Sequence, residues 1–276
     1  MYKNSIKSVA IGSFDGIHLG HSALIEKVEA VVIIERNGGY LTPGYRRSFF
    51  IKKPCFFYHF EHIKSLSSKE FVTKLKEDFP QLKSIVVGYD FGFGYKKEGN
   101  TTLLKELFDG EVIVVSEVKS NDISVHSRTI KSYIADGNIK LVNQLLNRAY
   151  MISGKIVSGQ GLGKKKLVPT LNINIYDYDL PKNGVYVTRT KVVNEWLTSV
   201  SFLGLRVTTD GAYAIETHII DKDIGVIKGN VEIEFLKFIR ENRKFDDLEA
   251  LKEQIYRDIE TAKSYLNLLE NNFSTL

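Results

Sequence analysis

Two histidines three residues apart, His18 and His21, close a glycine-punctuated stretch that runs from Gly12 through Phe14, Asp15, Gly16 and Gly20. Imidazoles spaced in this way can donate hydrogen bonds to phosphate oxygens as charge develops during phosphoryl transfer. The stretch follows a short apolar run and leads into a helical pattern. A helix start gathers unpaired N–H groups and the positive end of the helix dipole, which together favour an anion. Gly16 and Gly20 are expected to let the backbone come close to phosphates. Two bare histidines at this spacing are more often surface turn residues. The strand, turn and helix around this pair favour the chemical reading.

A second candidate lies farther along the chain. Gly159, Gly161 and Gly163 alternate ahead of Lys164, Lys165 and Lys166, and Val168, Pro169, Thr170 and Asn172 follow. Glycines at every second residue beside three lysines make a flexible cationic loop able to wrap a polyphosphate. This is not a Walker A loop, because no Ser or Thr follows a Gly-Lys pair at the needed spacing. It is not a dinucleotide fingerprint either, because no βαβ unit follows. Taken alone, the loop is equally a mobile surface hairpin. Glu216, two residues before His218, would by itself be a solvated strand residue.

The elements that must position these residues fall into two groups. Residues 8–11 read as a short apolar strand, 20–30 as a helix with Leu24, Ile25 and Val28 on one face, and 31–34 as a buried strand. Ser67, with Glu70 three residues on, opens a capping-box helix over 67–79. Apolar runs at 84–88 and 111–116 flank a helical stretch at 101–108. This alternation predicts a Rossmann-like α/β module with a parallel sheet and helices on both faces. Near Tyr150, after a helical stretch at 139–147, the chain turns to Val, Ile, Thr and Tyr with glycine turns. Strands at 152–158, 171–176, 185–191, 197–202, 214–220 and 231–238 predict a six-stranded antiparallel β-barrel. Leu248, Leu251, Ile255, Ile259, Ala262, Leu266 and Leu269 recur at steps of three and four, so a long closing helix over 247–270 packs an apolar stripe. Modules at 1–148 and 149–276 are expected.

A chain of 276 residues suits two domains, and 43% hydrophobic against 26% charged residues is a globular balance that lets each bury a core. The excess of 38 Lys and Arg over 33 Asp and Glu suits phosphate-bearing substrates. It would also suit weak nucleic-acid contact, but no run of five like charges forms a basic arm. Cys55 is the one cysteine, which excludes an internal disulfide and fits a reducing compartment. Between Pro54 and Phe56 it reads as a small buried hydrophobe. The first residues carry no apolar signal core, and no stretch approaches the roughly 18 apolar residues of a membrane helix. A cytoplasmic protein with small-molecule partners, and with neither nucleic-acid nor membrane partners, is expected.

The spacing of His18, Gly20 and His21 is similar to the signature of nucleotidyltransferases, which adenylylate an acceptor and release pyrophosphate. Together with Asp90, Phe91, Phe93 and Gly94, and with Lys97 and Gly99 behind them, the stretch resembles the bifunctional riboflavin kinase/FAD synthetases of bacteria. The resemblance continues through Ser127 and Lys131, then Pro169, Thr170 and Asn172, then Gly184 to Tyr186, Glu216 to Asp221, and Arg240 to Phe245, in the family's order. It implies that Gly12 to His21, with Ser127 and Lys131, serve the ATP phosphates of an FAD synthetase module. Asp90, Phe91 and Phe93 would help form the nucleotide and flavin pocket. In the second module it implies a riboflavin kinase, with Thr170 and Asn172 holding Mg2+ and nucleotide phosphates, Glu216 as base and Arg240 toward flavin or nucleotide. The substrates and products would be riboflavin, FMN, FAD and ATP. The chain departs from the family after residue 34, where Glu35, Arg36 and Asn37 replace a Phe-x-Pro-His-Pro-like stretch, and at His126 and Arg128, which replace Ser and Thr. These departures define a second reading, a riboflavin kinase with an altered first module. A third, a flavin-sensing or nucleic-acid-binding protein without turnover, predicts salt-sensitive DNA or RNA binding.

Overall fold

The computed structural model describes residues 3–36, 40–158 and 167–273. They form two compact units, one of residues up to 129 with 145–147, the other of 130–144 with 148 onward. The composition change near Tyr150 lies beside this division, while the helical residues 130–144 group with the second unit.

In the first unit, β1 (Ser8–Gly12), β2 (Ala30–Glu35), β3 (Cys55–His59), β4 (Ser84–Gly88) and β5 (Glu111–Val115) make one parallel sheet in the order β3-β2-β1-β4-β5. Between them run α1 (Leu19–Ile25), α2 (Phe60–Ile63), α3 (Ser68–Asp78) and α4 (Thr101–Leu107). A parallel sheet must be covered on both faces, so its strands are apolar without interruption. Val9, Ile11, Val32 and Val87 pack with Phe71, Leu75, Phe79, Leu104 and Phe108 on one side. Ala10, Val31, Ile33 and Val86 pack with Phe14, Ile17, Leu24 and Ile25 on the other. The capping box forms as predicted: Glu70 N–H donates to Ser67 Oγ, and Ser67 N–H donates to Glu70 Oε2.

Two local expectations are corrected. The helix predicted over 20–30 ends at Ile25, because the turn that follows must return the chain to β2 at Ala30. Cys55 is only half-buried, since β3 is an edge strand unread in the sequence; even so, burial pushes its thiol up to about 11.

Past β5, a short hairpin of β6 (Lys119–Ser120) and β7 (Ile123–Ser124) leads to α5 (Ser127–Ala135) and α6 (Ile139–Leu146). In the second unit β8 (Tyr150–Val157), β9 (Leu171–Ile175), β10 (Gly184–Val192), β11 (Glu195–Leu205), β12 (Tyr213–Ile219) and β13 (Asn230–Glu241) close an antiparallel barrel in the order β10-β11-β12-β9-β8-β13. Strand alternation sends two sets of side chains to opposite faces. Inside, Tyr186 meets Phe235 edge-on at 5.2 Å, and hydroxyls link Thr190, Ser199, Thr188, Ser201 and Thr217 in a buried chain. Outside, Val185, Val187, Val200 and Ile220 pack against Ile259, Ala262 and Leu266 of the long helix α7 (Leu248–Phe273). The predicted apolar stripe therefore covers the barrel wall.

Candidate functional site

The first cleft, about 610 Å³, is lined only by residues of the first unit. It opens at the carboxyl ends of β1 and β4, where the chain reverses direction across the sheet. In doubly wound sheets this switch point is where ligands bind. The loop after β1 is sharply bent: Phe14, Gly16 and Ile17 have φ of +50°, +87° and +43°. Such angles are strained for Phe and Ile. The bend ends at His18, the N-cap of α1, whose Nδ1 accepts from His21 N–H at 3.3 Å. The two imidazoles stack at 3.6 Å between centroids, and Phe14 lies 5.1 Å from His21. Both histidines, Gly12, Phe14 and Gly20 line the cleft, as do Asp90, Phe91 and Ser127.

The structure gives several predicted residues other work. Asp15 and Gly16 are buried and do not line this cleft. Asp15 Oδ1 accepts from Thr42 N–H at 3.1 Å, and its carbonyl accepts from Ser127 Oγ at 2.8 Å, so Asp15 braces the loop. A Cβ on Gly16 would meet Leu41 at 2.7 Å, and one on Gly20 would meet the His18 ring and the Val125 carbonyl at 3.2 Å. Gly16 thus admits a protein neighbour and lies off the cleft, whereas Gly20 lines the cleft with the His18 ring close beside it. Phe93 is a core residue, stacked on Phe91 and tilted against Phe71, not a wall of the cleft. Lys131 is off the cleft too: its ammonium pairs with Asp179 at 2.9 Å. Helix periodicity explains this, since the fourth residue past Ser127 lies one turn down α5. Sequence reasoning missed the rim formed by Tyr89, Glu117 and His126, whose polar atoms lie 3.2–3.4 Å apart. Arg36 and Arg128, noted only as departures, also line the cleft.

In the second unit the candidate residues gather at two neighbouring clefts. The smaller, about 160 Å³, lies between the outer barrel wall and α7 and is lined by Thr170, Asn172, Glu216 and Arg240, among others. The larger, about 1010 Å³, is bounded by residues 155–158, 169–172 and 221–229. Thr170, Asn172 and His218 line both, so they stand where the clefts meet. β9 and β12 set this arrangement: Asn172 and Glu216 are direct register partners. His218 Nδ1 lies 2.8 Å from the Pro169 carbonyl, which requires the proton on Nδ1 in the neutral ring. Gly159, Gly161, Gly163 and Lys164 lie outside the described residues. The flanking Ser158 lines the larger cleft and Leu167 the smaller.

Burial raises the Glu216 carboxyl above the ordinary carboxylate range, Arg206 opposes that rise and Asp210 reinforces it. Arg206 Nη1 donates to Glu216 Oε1 at 3.1 Å. Arg240, predicted to face flavin or nucleotide, does line the cleft, but its guanidinium is committed to buried Asp258 through three bonds of 2.8–3.1 Å. Asp258 went unread, although its position among Ile255, Ile259 and Ala262 puts a carboxylate on an apolar stripe, which is a legible signal.

A switch-point cleft with paired histidines and a closed barrel with a part-buried carboxylate, in one chain, define a two-domain transferase. Two family models match it: FAD synthetase over residues 2–35 and 51–129, and riboflavin kinase over residues 146–266. The bifunctional riboflavin kinase/FMN adenylyltransferase of Buchnera aphidicola subsp. Acyrthosiphon pisum is 30% identical, with 97% of this chain and 96% of that one covered. Those of Listeria monocytogenes and Escherichia coli K12 are 28% and 26% identical; the first match covers 96% of this chain and 94% of the relative, the second 94% and 93%. A crystal structure described as a macrolide-efflux protein from Streptococcus pneumoniae aligns with a TM-score of 0.84 at 27% identity, over 94% of this chain and 95% of that one. The chain belongs to the family of bifunctional riboflavin kinase/FMN adenylyltransferases. Among the described residues, no helix is long and apolar enough to cross a membrane.

Proposed function

We propose that this chain phosphorylates riboflavin with ATP to give FMN and ADP, and then joins AMP from a second ATP to FMN, giving FAD and pyrophosphate. The observation that carries the reading is the pairing of both family matches, in order, with two site regions that share no residue. The first module, residues 1–148, takes the adenylyl transfer, and the second, residues 149–276, takes the phosphorylation.

In the kinase step, Glu216 accepts the proton of the primary ribityl hydroxyl as its oxygen attacks the terminal phosphorus of ATP and the bond to ADP breaks. A raised carboxyl affinity for protons suits a base that must work near neutral pH. The smaller apolar-walled cleft fits the flavin, and the larger cleft, with Lys155, Lys222 and Lys228 on its wall, fits the nucleotide. A hydroxyl and an amide oxygen, Thr170 and Asn172, are hard donors of the kind Mg2+ uses beside substrate phosphates, and they line both clefts. They would hold Mg2+, which when bound neutralises phosphate charge. In the adenylyl step the FMN phosphate is itself the nucleophile, so no base is needed. His18 and His21 serve by positioning and by stabilising charge as pyrophosphate leaves.

The test is chromatography of flavins after incubation with riboflavin, ATP and Mg2+. FMN should appear first and FAD after it. A preparation that turns over neither flavin ends the reading, and FMN without FAD restricts it to the kinase.

A further inference from the structure

β11 ends at Leu205, and the turn that carries the chain back to β12 is closed on Arg206: its N–H donates to the Ala212 carbonyl at 2.9 Å, and its carbonyl accepts from Gly211 N–H at 3.1 Å. Within this turn Asp210 faces the guanidinium. Arg206 Nε and Nη2 donate to Asp210 Oδ1 and Oδ2, each at 3.0 Å, and Ala212 N–H donates to Asp210 Oδ1 at 3.1 Å. Two of the three guanidinium nitrogens are thereby fixed, which aims the remaining one, Nη1, at Glu216 Oε1. Glu216 Oε2 has no protein hydrogen bond among the described residues. The other charged or titratable groups on the cleft wall are Arg240 with Asp258, which occupies its fork, Arg243, which donates to Gln254, and His218, held at the Pro169 carbonyl.

We propose that Asp210 is a positioning residue of the phosphorylation step: it locks Arg206, and through Arg206 it holds the Glu216 carboxylate with one oxygen pinned and the other presented to the acceptor hydroxyl. The inference rests on the reading of Glu216 as the base. Asp210 is not among the residues that line the cleft, and its effect passes through Arg206. An arginine held by one bond alone could swing, and the carboxylate with it. A carboxylate misplaced by an ångström costs rate rather than affinity.

The experiment is steady-state riboflavin phosphorylation by the full chain and its D210A, D210N, R206A, D210A/R206A and E216Q variants. D210A should lower kcat about tenfold while the KM values for riboflavin and ATP stay within about twofold. The double variant should be no slower than R206A alone, because residues acting in series are not additive. D210N keeps the side-chain shape and an acceptor for Ala212 N–H, and should lose rate without loss of fold. Far-UV circular dichroism and thermal melts matching wild type show that the barrel of each variant is folded, and FAD formation from supplied FMN, the work of the other unit, should be unchanged. Unchanged kcat in D210A and D210N overturns the inference, as does a raised KM at wild-type kcat or a D210A loss that adds in full to that of R206A. An E216Q chain with wild-type kinase rate would instead remove the reading of the base, a result distinct from any of these.

Discussion

The histidine cleft and the carboxylate cleft hold their reactive groups by opposite means. His18 and His21 are placed by backbone: three positive φ angles within four residues turn the loop, and the rings stack on each other. Glu216 is placed by side chains: Arg206 holds it, Asp210 holds Arg206, and Asp258 ties Arg240 to the same wall. Backbone-held groups should be sensitive to steric changes at a few loop positions. Groups held by ion pairs should be sensitive to charge and to pH.

The largest effect expected is from Glu216→Gln. Loss of a general base should cut FMN formation by roughly 10²–10⁴ in kcat, while FAD formation from supplied FMN persists; assays of the two half-reactions on one preparation decide it. His21→Ala should give the mirror result, with FAD formation down roughly 10²–10³ and FMN formation retained, since one charge-stabilising donor is removed. If each variant impaired both reactions alike, the comparison between separate sites would break.

Gly16→Ala sharpens the steric half of the contrast. With φ at +87° and Leu41 where the methyl would go, the substitution should cost about 1–3 kcal/mol. It should lower Tm and weaken FAD formation, and a thermal melt as stable as wild type would contradict the tight packing described for this loop. The smallest effect expected is electrostatic. Arg206 lowers the proton affinity that burial raises in Glu216. Removing the cation in Arg206→Met therefore moves the carboxyl higher, so the base is protonated at a higher pH. The acid limb of the kinase kcat/KM profile should therefore move to higher pH. A limb that stays put or moves to lower pH would show that the pair does not act on the base.

Legibility in the sequence follows the same division. The His18–His21 loop is contiguous, so spacing alone exposed it, and the parallel sheet and barrel were readable because their apolar runs are continuous or alternate by strand. The second site is assembled from β9, β11, β12 and α7. Its Thr170, Asn172 and Glu216 were found only through ordered resemblance, and the partners Asp210 and Asp258 were not found at all. A carboxylate on the apolar stripe of α7 could have signalled Asp258; nothing in the spacing of Asp210 distinguishes it from an ordinary turn aspartate. Gly16 is harder to read for a related reason: it reads as a phosphate approach, yet it lies off the cleft and the space it leaves is taken by Leu41. The FAD synthetase match skips residues 36–50, where the chain departs from the family's pattern, and Arg36 and the 3-10 helix Gly44–Phe50 lie in that interval.

The central claim is that two reactions run at two independent sites, with FMN as the released product of one and the substrate of the other. Mixing equal amounts of the E216Q and H21A chains with riboflavin, ATP and Mg2+ tests it directly. The mixture should form FAD although neither chain alone does so from riboflavin, because H21A supplies FMN and E216Q adenylylates it. A mixture that accumulates FMN and never FAD would contradict the account.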